Sequence, residues 1–207
     1  MIPDLNTLPD GCSLRLILIR HGEPAESRGR CHGKLDVELS ETGREQMRRT
    51  LERLTNLRAD AIYTSPLRRA LDSAAIVNEH LRLQVRVSLQ LEEINFGRFE
   101  GLRYEEIEEL YPSAYKSWIK NPSSMSFPDG ESFAQMKRRV LCFKEELVCT
   151  HRHESVVIVS HGGTNRIIIG QALEIPDAHI FRIDQAYSSI SIIDYFDDYS
   201  QVRLVNG

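Results

Sequence analysis

Leu14-Arg15-Leu16-Ile17-Leu18-Ile19 is a short apolar, β-branched run that halts at Arg20-His21-Gly22-Glu23, and Ser155-Val156-Val157-Ile158-Val159-Ser160 halts in the same way at His161-Gly162-Gly163. Runs of this length and composition read as buried strands. Two near-continuous apolar strands, each ending in a histidine and a glycine, predict central parallel strands of an α/β sheet.

Outward from these strands the pattern becomes helical. Thr42-Gly43-Arg44-Glu45 fits a capping box and leads into Met47, Leu51 and Leu54 on one helix face. A strand is predicted over 61–64. Ser65 as N-cap and Pro66 at the first helical position then open a helix carrying Leu67, Ala70, Ala74 and Val77 on its core side. The alternation over 85–89 predicts another strand. Between 97 and 130 Phe99, Tyr104, Tyr111, Tyr115, Trp118 and Phe127 gather among acidic residues and prolines, which predicts a small helical cap inserted into one domain spanning 1–207. A long helix over 131–148, a helix over 163–173 and an antiparallel hairpin of strands over 190–195 and 201–205 complete the chain. The first 12 residues read as a loosely held arm. Strands alternating with helices predict a three-layer α/β/α sandwich with a mainly parallel central sheet. Ligands in such folds bind beyond the carboxyl ends of the strands. Both His-Gly turns are therefore expected on one rim, although 140 residues separate them in sequence.

Composition narrows the function classes. Apolar residues make up 41% and charged residues 27% of the 207, which excludes a mostly disordered chain, a coiled coil and a collagen-like one. No apolar run approaches the roughly 20 residues that cross a bilayer, and the first 15 residues lack the pattern of a signal peptide. A cytoplasmic protein without a membrane partner is expected. The net charge of −4 argues against a nucleic-acid partner, because phosphate backbones select basic surfaces. Of the cationic side chains 21 are Arg and only 5 are Lys, and Arg is the residue for two-point recognition of phosphate. Cys12, Cys31, Cys142 and Cys149 form no C-x-x-C pair and read as free thiols. His151-x-His153 lies in a polar stretch and is not read as a metal site; His80 and His179 read as structural or solvated.

Three segments carry chemistry. At the end of a buried strand, the neutral imidazole of His21 can attack phosphorus. Arg20 can bind phosphate oxygens, and Gly22 lets the backbone turn close to an anion. Ser65-Pro66-Leu67-Arg68-Arg69-Ala70 brings arginines and a helix N-terminus, with its free N–H groups, to the same rim. Leu91-Glu92-Glu93-Ile94-Asn95-Phe96-Gly97 offers a carboxyl group flanked by aromatics and glycines, where loss of water makes a usable proton donor.

Taken in order, Arg20-His21-Gly22-Glu23, Ser65-Pro66-Leu67-Arg68-Arg69-Ala70, Glu93-Ile94-Asn95-Phe96-Gly97 and Ser160-His161-Gly162-Gly163 resemble the histidine phosphatase superfamily, the phosphoglycerate-mutase-like family. Gly33, Asp36, Leu39-Ser40, Thr42-Gly43 and Pro128-Asp129-Gly130-Glu131-Ser132 add to the likeness, which covers about residues 14 to 195. The resemblance implies that His21 is the phosphorylated nucleophile and that Arg20, Arg69 and His161 form the phosphate pocket with it. Glu93 would be the general acid, then the base for water, with Glu92 a poorer match one position out of register. Gly22 and Gly162 would allow close approach. No metal and no other cofactor is implied, because Arg and His supply the positive charge. Family members often carry an asparagine where Ser27 stands; Ser27 can still donate one hydrogen bond to phosphate. Gly33 belongs to the loop beside the pocket, and Arg28, Arg30 and His32 stand near it.

Three activities are consistent with this pattern: a phosphomonoester hydrolase working through phosphohistidine, a 2,3-bisphosphoglycerate-dependent phosphoglycerate mutase, or a non-catalytic regulatory module. The complete set of His21, Arg69, Glu93 and His161 counts against the module. Only 68 positions separate Glu93 from His161, and a short cap favours hydrolysis, because a mutase must hold its intermediate away from water. Gly29-Arg30-Cys31-His32-Gly33-Lys34-Leu35-Asp36 and the aromatic cap resemble α-ribazole phosphatase. The expected partner is therefore a small phosphorylated metabolite such as α-ribazole phosphate. The sequence allows a homodimer and does not fix the oligomeric state.

Overall fold

The computed structural model describes residues 5–25, 29–54 and 56–207. Its strands are β1 (Leu14–Arg20), β2 (Ala61–Thr64), β3 (Val85–Val87), β4 (Glu154–Ser160), β5 (Ile190–Tyr195) and β6 (Ser200–Leu204). They form one sheet in the order β3-β2-β4-β1-β5-β6. β3, β2, β4 and β1 are mutually parallel; β5 runs antiparallel to β1, and β6 antiparallel to β5. The two apolar runs are thus the adjacent central strands, in a register that sets Arg20 opposite Ser160.

The helices are α1 (Glu41–Arg53), α2 (Arg68–Leu81), α3 (Tyr104–Leu110), α4 (Pro112–Lys120), α5 (Phe133–Thr150) and α6 (Gly162–Ala172). Side chains on a strand alternate between faces, and β1 divides accordingly. Leu14, Leu16 and Leu18 pack with Phe143 of α5 and Ile167 of α6, whereas Ile17 and Ile19 pack with Met47 of α1 and Val77 of α2. These are the three expected layers. α3, α4 and short 3-10 turns at Gly97–Phe99 and Pro122–Ser124 form the cap, whose Phe99, Ile107 and Phe127 belong to the same core as α5 and α6. Among the described residues no helix is long and apolar enough to cross a membrane.

Several local expectations are corrected. Ser40, not Thr42, caps α1, accepting from the Gly43 N–H at 2.9 Å. The early start is dictated by packing: a Cβ on Gly22 would lie 2.4 Å from the Gly43 carbonyl oxygen, so the strand-end turn and the first turn of α1 touch backbone to backbone. α2 begins at Arg68 with Leu67 as N-cap; Ser65 stands two residues earlier, where its hydroxyl meets His161 Nε2 and also accepts from Leu67 N at 3.3 Å. The strand predicted over 85–89 stops at Val87 and passes into a 3-10 turn, Leu89–Leu91. α5 starts two residues late, at a true capping box of Ser132 and Gln135. From residue 5 onward the N-terminal arm is not loose: Leu5 is buried in the α1–α2 core, and Thr7 O accepts from the Arg15 guanidinium, while residues 1–4 lie outside the described residues.

Candidate active site

The ends of β1 and β4 place His21 and His161 side by side, with ring centroids 5.0 Å apart. His21 N donates to Ser160 O at 2.9 Å, so the two turns are stitched together. His21 Nδ1 lies 2.7 Å from its neighbour's carbonyl, Gly22 O. A carbonyl only accepts, so Nδ1 carries the proton and Nε2 holds the lone pair of the neutral ring. Arg69 Nε points at that Nε2 from 3.3 Å. Burial, then the charges of Arg69 and Arg20, hold the His21 imidazole well below its usual pKa of 6.5. His161 is displaced in the same direction by burial, Arg69, His21 and Arg20. Its Nε2 is 2.8 Å from Ser65 Oγ, and its buried Nδ1 has no hydrogen-bond partner among the described residues.

Arg69 is buried at the start of α2, and loop carbonyls hold it: Gly33 O at 2.6 Å, Leu35 O at 2.8 Å and His32 O at 3.3 Å. That loop is shaped in turn by Glu100. Its carboxylate accepts from the N–H groups of Gly33 (3.1 Å), Lys34 (2.8 Å), Leu35 (3.2 Å) and Phe96 (2.9 Å). Ser73 Oγ accepts from Gly22 N and donates to Arg69 O, tying the nucleophile turn to α2. Arg20 donates to Gln185 O and lies 4.0 Å over the Tyr187 ring, while its buried Nε has no hydrogen-bond partner among the described residues. Burial lowers the pKa of Arg20, Arg69 and Arg166, yet a guanidinium starts so far above neutrality that all three remain cations.

Glu93 docks on the N-terminus of α6. Its Oε2 accepts from Gly163 N at 3.0 Å and its Oε1 from Ile94 N at 3.0 Å. A Cβ at Gly163 would lie 2.3 Å from Glu93 Oε1, so only glycine admits the carboxylate there. Arg139 of α5 clamps the segment from behind, donating to Glu92 O at 2.7 Å and Glu93 O at 3.1 Å. Glu92 turns away into an ion pair with Lys34 at 2.5 Å. The register choice between the two glutamates is thereby decided in favour of Glu93 as the one that lines the pocket.

Arg20, His21, Arg69 and Glu93 line one chamber, and His161 adjoins it beneath His21. Gly162 begins α6, close to the guanidinium groups of Arg20 and Arg166. Arg30 and His32 line the chamber, Arg30 anchored to Gly101 O at 2.7 Å. Ser27 and Arg28 lie outside the described residues. His151 is structural, buried between Tyr63 Oη and Glu154, and His153 Nδ1 bonds Cys12 O. Cys31 lines the pocket, but burial followed by the charge of Glu100 pushes its thiol up to about 12. Nothing local in the sequence marks Ser65, Arg139, Gly163, Arg166 or Tyr187 as site residues, whereas Glu100, a further candidate acid by its place in the sequence, is engaged by four backbone N–H groups. Arg166, one helical turn beyond Gly162, was within reach of a helix-face argument; Tyr187 comes from a loop with no pattern to mark it.

A family model described as histidine phosphatase superfamily (branch 1) matches residues 16–207. The chain belongs to the histidine phosphatase superfamily. It is 37% identical over 149 residues to phosphoserine phosphatase 1 of Hydrogenobacter thermophilus, covering 72% of this chain and 71% of that one. Among solved structures it is similar to a mycobacterial glucosyl-3-phosphoglycerate phosphatase in complex with VO3, with a TM-score of 0.85 at 30% identity over 93% of this chain and 98% of that one. It is also similar to the α-ribazole phosphatase of Shigella flexneri, with a TM-score of 0.85 at 26% identity over 93% and 96% of the two chains. Phosphatases with different named substrates are thus among the relatives of this member of the superfamily.

Proposed function

We propose that this histidine phosphatase is a metal-independent phosphomonoester hydrolase acting through a phosphohistidine at His21. The observation that supports it best is the neutral His21 ring, anchored through Nδ1 to Gly22 O with Nε2 facing the guanidinium of Arg69. Nε2 attacks phosphorus, the P–N bond forms and the ester P–O bond breaks. Arg20, Arg69 and His161 stabilise the charge that spreads over the three equatorial oxygens, in place of metal ions. Glu93, in its acid form, gives its proton to the departing alkoxide. The resulting carboxylate takes a proton from water as that water attacks the phosphohistidine, which releases phosphate and restores both groups. The substrate is a small phosphorylated metabolite; α-ribazole phosphate, phosphoserine and glucosyl-3-phosphoglycerate are the panel that the relatives' names supply.

Rapid quench with labelled substrate, followed by peptide mapping, tests the intermediate. The label is expected on His21, stable to base and lost in acid. With p-nitrophenyl phosphate, whose leaving group needs little protonation, Glu93→Gln should give a rapid first turnover and then accumulate the phosphoenzyme, because water is no longer activated. Label on a serine or cysteine would sink the mechanism.

A further inference from the structure

We propose that the alcohol released by this enzyme is apolar and about the size of one ring, and that it is seated in an aromatic chamber beyond Glu93; the proposal rests on the hydrolase reading above. The pocket has two chambers that share Glu93, Phe96, Trp118, Arg166 and Phe181 as a common boundary. The first, about 260 Å³, holds His21 with Arg20, Arg30 and Arg69, and is built for a dianion. The second, about 120 Å³, continues between the cap and α5 and is walled by Ile94, Phe127, Phe133 and Met136.

The direction of the chemistry assigns the occupant. His21 reaches phosphorus from the first chamber, and Glu93 protonates the leaving oxygen at the boundary. The rest of the alcohol therefore continues into the second chamber. The charged groups lining that chamber are Glu93 and Arg166, both at the boundary. Arg166 is tethered there, with Nε donating to Ile183 O at 2.8 Å and the guanidinium 5.9 Å over the Phe181 ring. A carboxylate carried deeper into that chamber would have to shed its water among hydrocarbon walls, which is unfavourable. Phe96 and Trp118 lie 5.5 Å apart and Phe133 and Phe181 5.9 Å apart, tilted pairs already in contact, whose outer faces and edges give the chamber aromatic walls for a further ring to pack on. The size agrees, since a dry cavity of about 150 Å³ accepts benzene. Phe181 is 43% exposed, a large apolar surface at the boundary that a bound ring would cover.

Benzyl phosphate, glycerol 3-phosphate and phosphoserine test the assignment. All three are esters of alkyl alcohols, so each needs the proton from Glu93. The expected kcat/KM for benzyl phosphate exceeds the other two by roughly 10- to 100-fold, the range given by burying one ring. Phe181→Ala should shrink that ratio by roughly 5- to 10-fold, and Phe181→Leu should restore most of it. A ratio near one, or a preference for phosphoserine or glycerol 3-phosphate while His21 is still labelled, overturns the leaving-group assignment and leaves the hydrolase reading standing. If none of the three esters labels His21, both fail together.

Discussion

His21 and His161 are buried and stand within reach of two guanidinium groups, so both rings are neutral, with one ring proton each, at neutral pH. That state is what a nucleophile and its neighbour need, and it has a cost that shows in stability. An imidazole in the unfolded chain takes up a proton as the pH falls through about 6.5, whereas these two resist protonation until well below it. Below 6.5 the unfolded chain binds more protons than the folded one, so stability falls as the pH falls, by up to about 1.4 kcal/mol per pH unit for each histidine. Urea denaturation between pH 7.5 and 5 should show this slope, and His21→Asn should make it shallower by about one histidine's share. An unchanged slope in the variant would mean that His21 titrates normally in the fold. At this scale the sequence was most legible where a side chain ends an apolar strand, as His21 and His161 do. Ser65, whose hydroxyl meets His161 across 96 positions, carried no local mark of that contact.

Between residue and fold lies the loop that holds Arg69. Glu100 gathers four backbone N–H groups, and three carbonyls of the loop it shapes point back at the Arg69 guanidinium. Glu100 does not line the chamber of His21, yet it positions Arg69, the proposed phosphate ligand, which does. Glu100→Gln keeps one acceptor oxygen and turns an NH2 toward two N–H donors, one partly buried and one exposed, and leaving the partly buried one unmatched costs about 1–3 kcal/mol. The expected result is a roughly tenfold rise in the inhibition constant for vanadate, a phosphate mimic, as Arg69 loses its fixed partners. Vanadate inhibition unchanged in the variant would detach the loop from phosphate binding. The strands and the cap could be read in advance from runs of β-branched and aromatic residues, because burial dictates those compositions. The helix starts were misplaced at Thr42 and Ser65. Capping chemistry is local, but the Gly22–Gly43 contact and the Ser65–His161 bond that share these turns come from elsewhere in the chain.

Across the whole molecule, the central strand β1 is held to the last third of the chain by one buried ion pair. Arg15 and Asp194 face each other in the β1–β5 register; Nε lies 2.6 Å from Oδ1 and Nη2 2.9 Å from Oδ2, and the two side chains are 2% and 0% exposed. Each charge stood alone in an apolar run, and nothing near either one named its partner; only the antiparallel pairing of β5 against β1 brings them together. Taking both from water is expensive, and their attraction repays it only while both are present. Asp194→Ala should therefore lower the unfolding free energy by about 3–5 kcal/mol, because it strands a guanidinium in the core. The double variant Arg15→Met, Asp194→Leu fills the same space with hydrocarbon and should restore most of that loss, ending near or above the parent. Denaturant unfolding of the parent, the two single variants and the double variant closes a mutant cycle that measures the coupling directly. If the two single losses simply added in the double variant, the pair would not be acting as a unit, and the strand register alone would be holding β1 to β5.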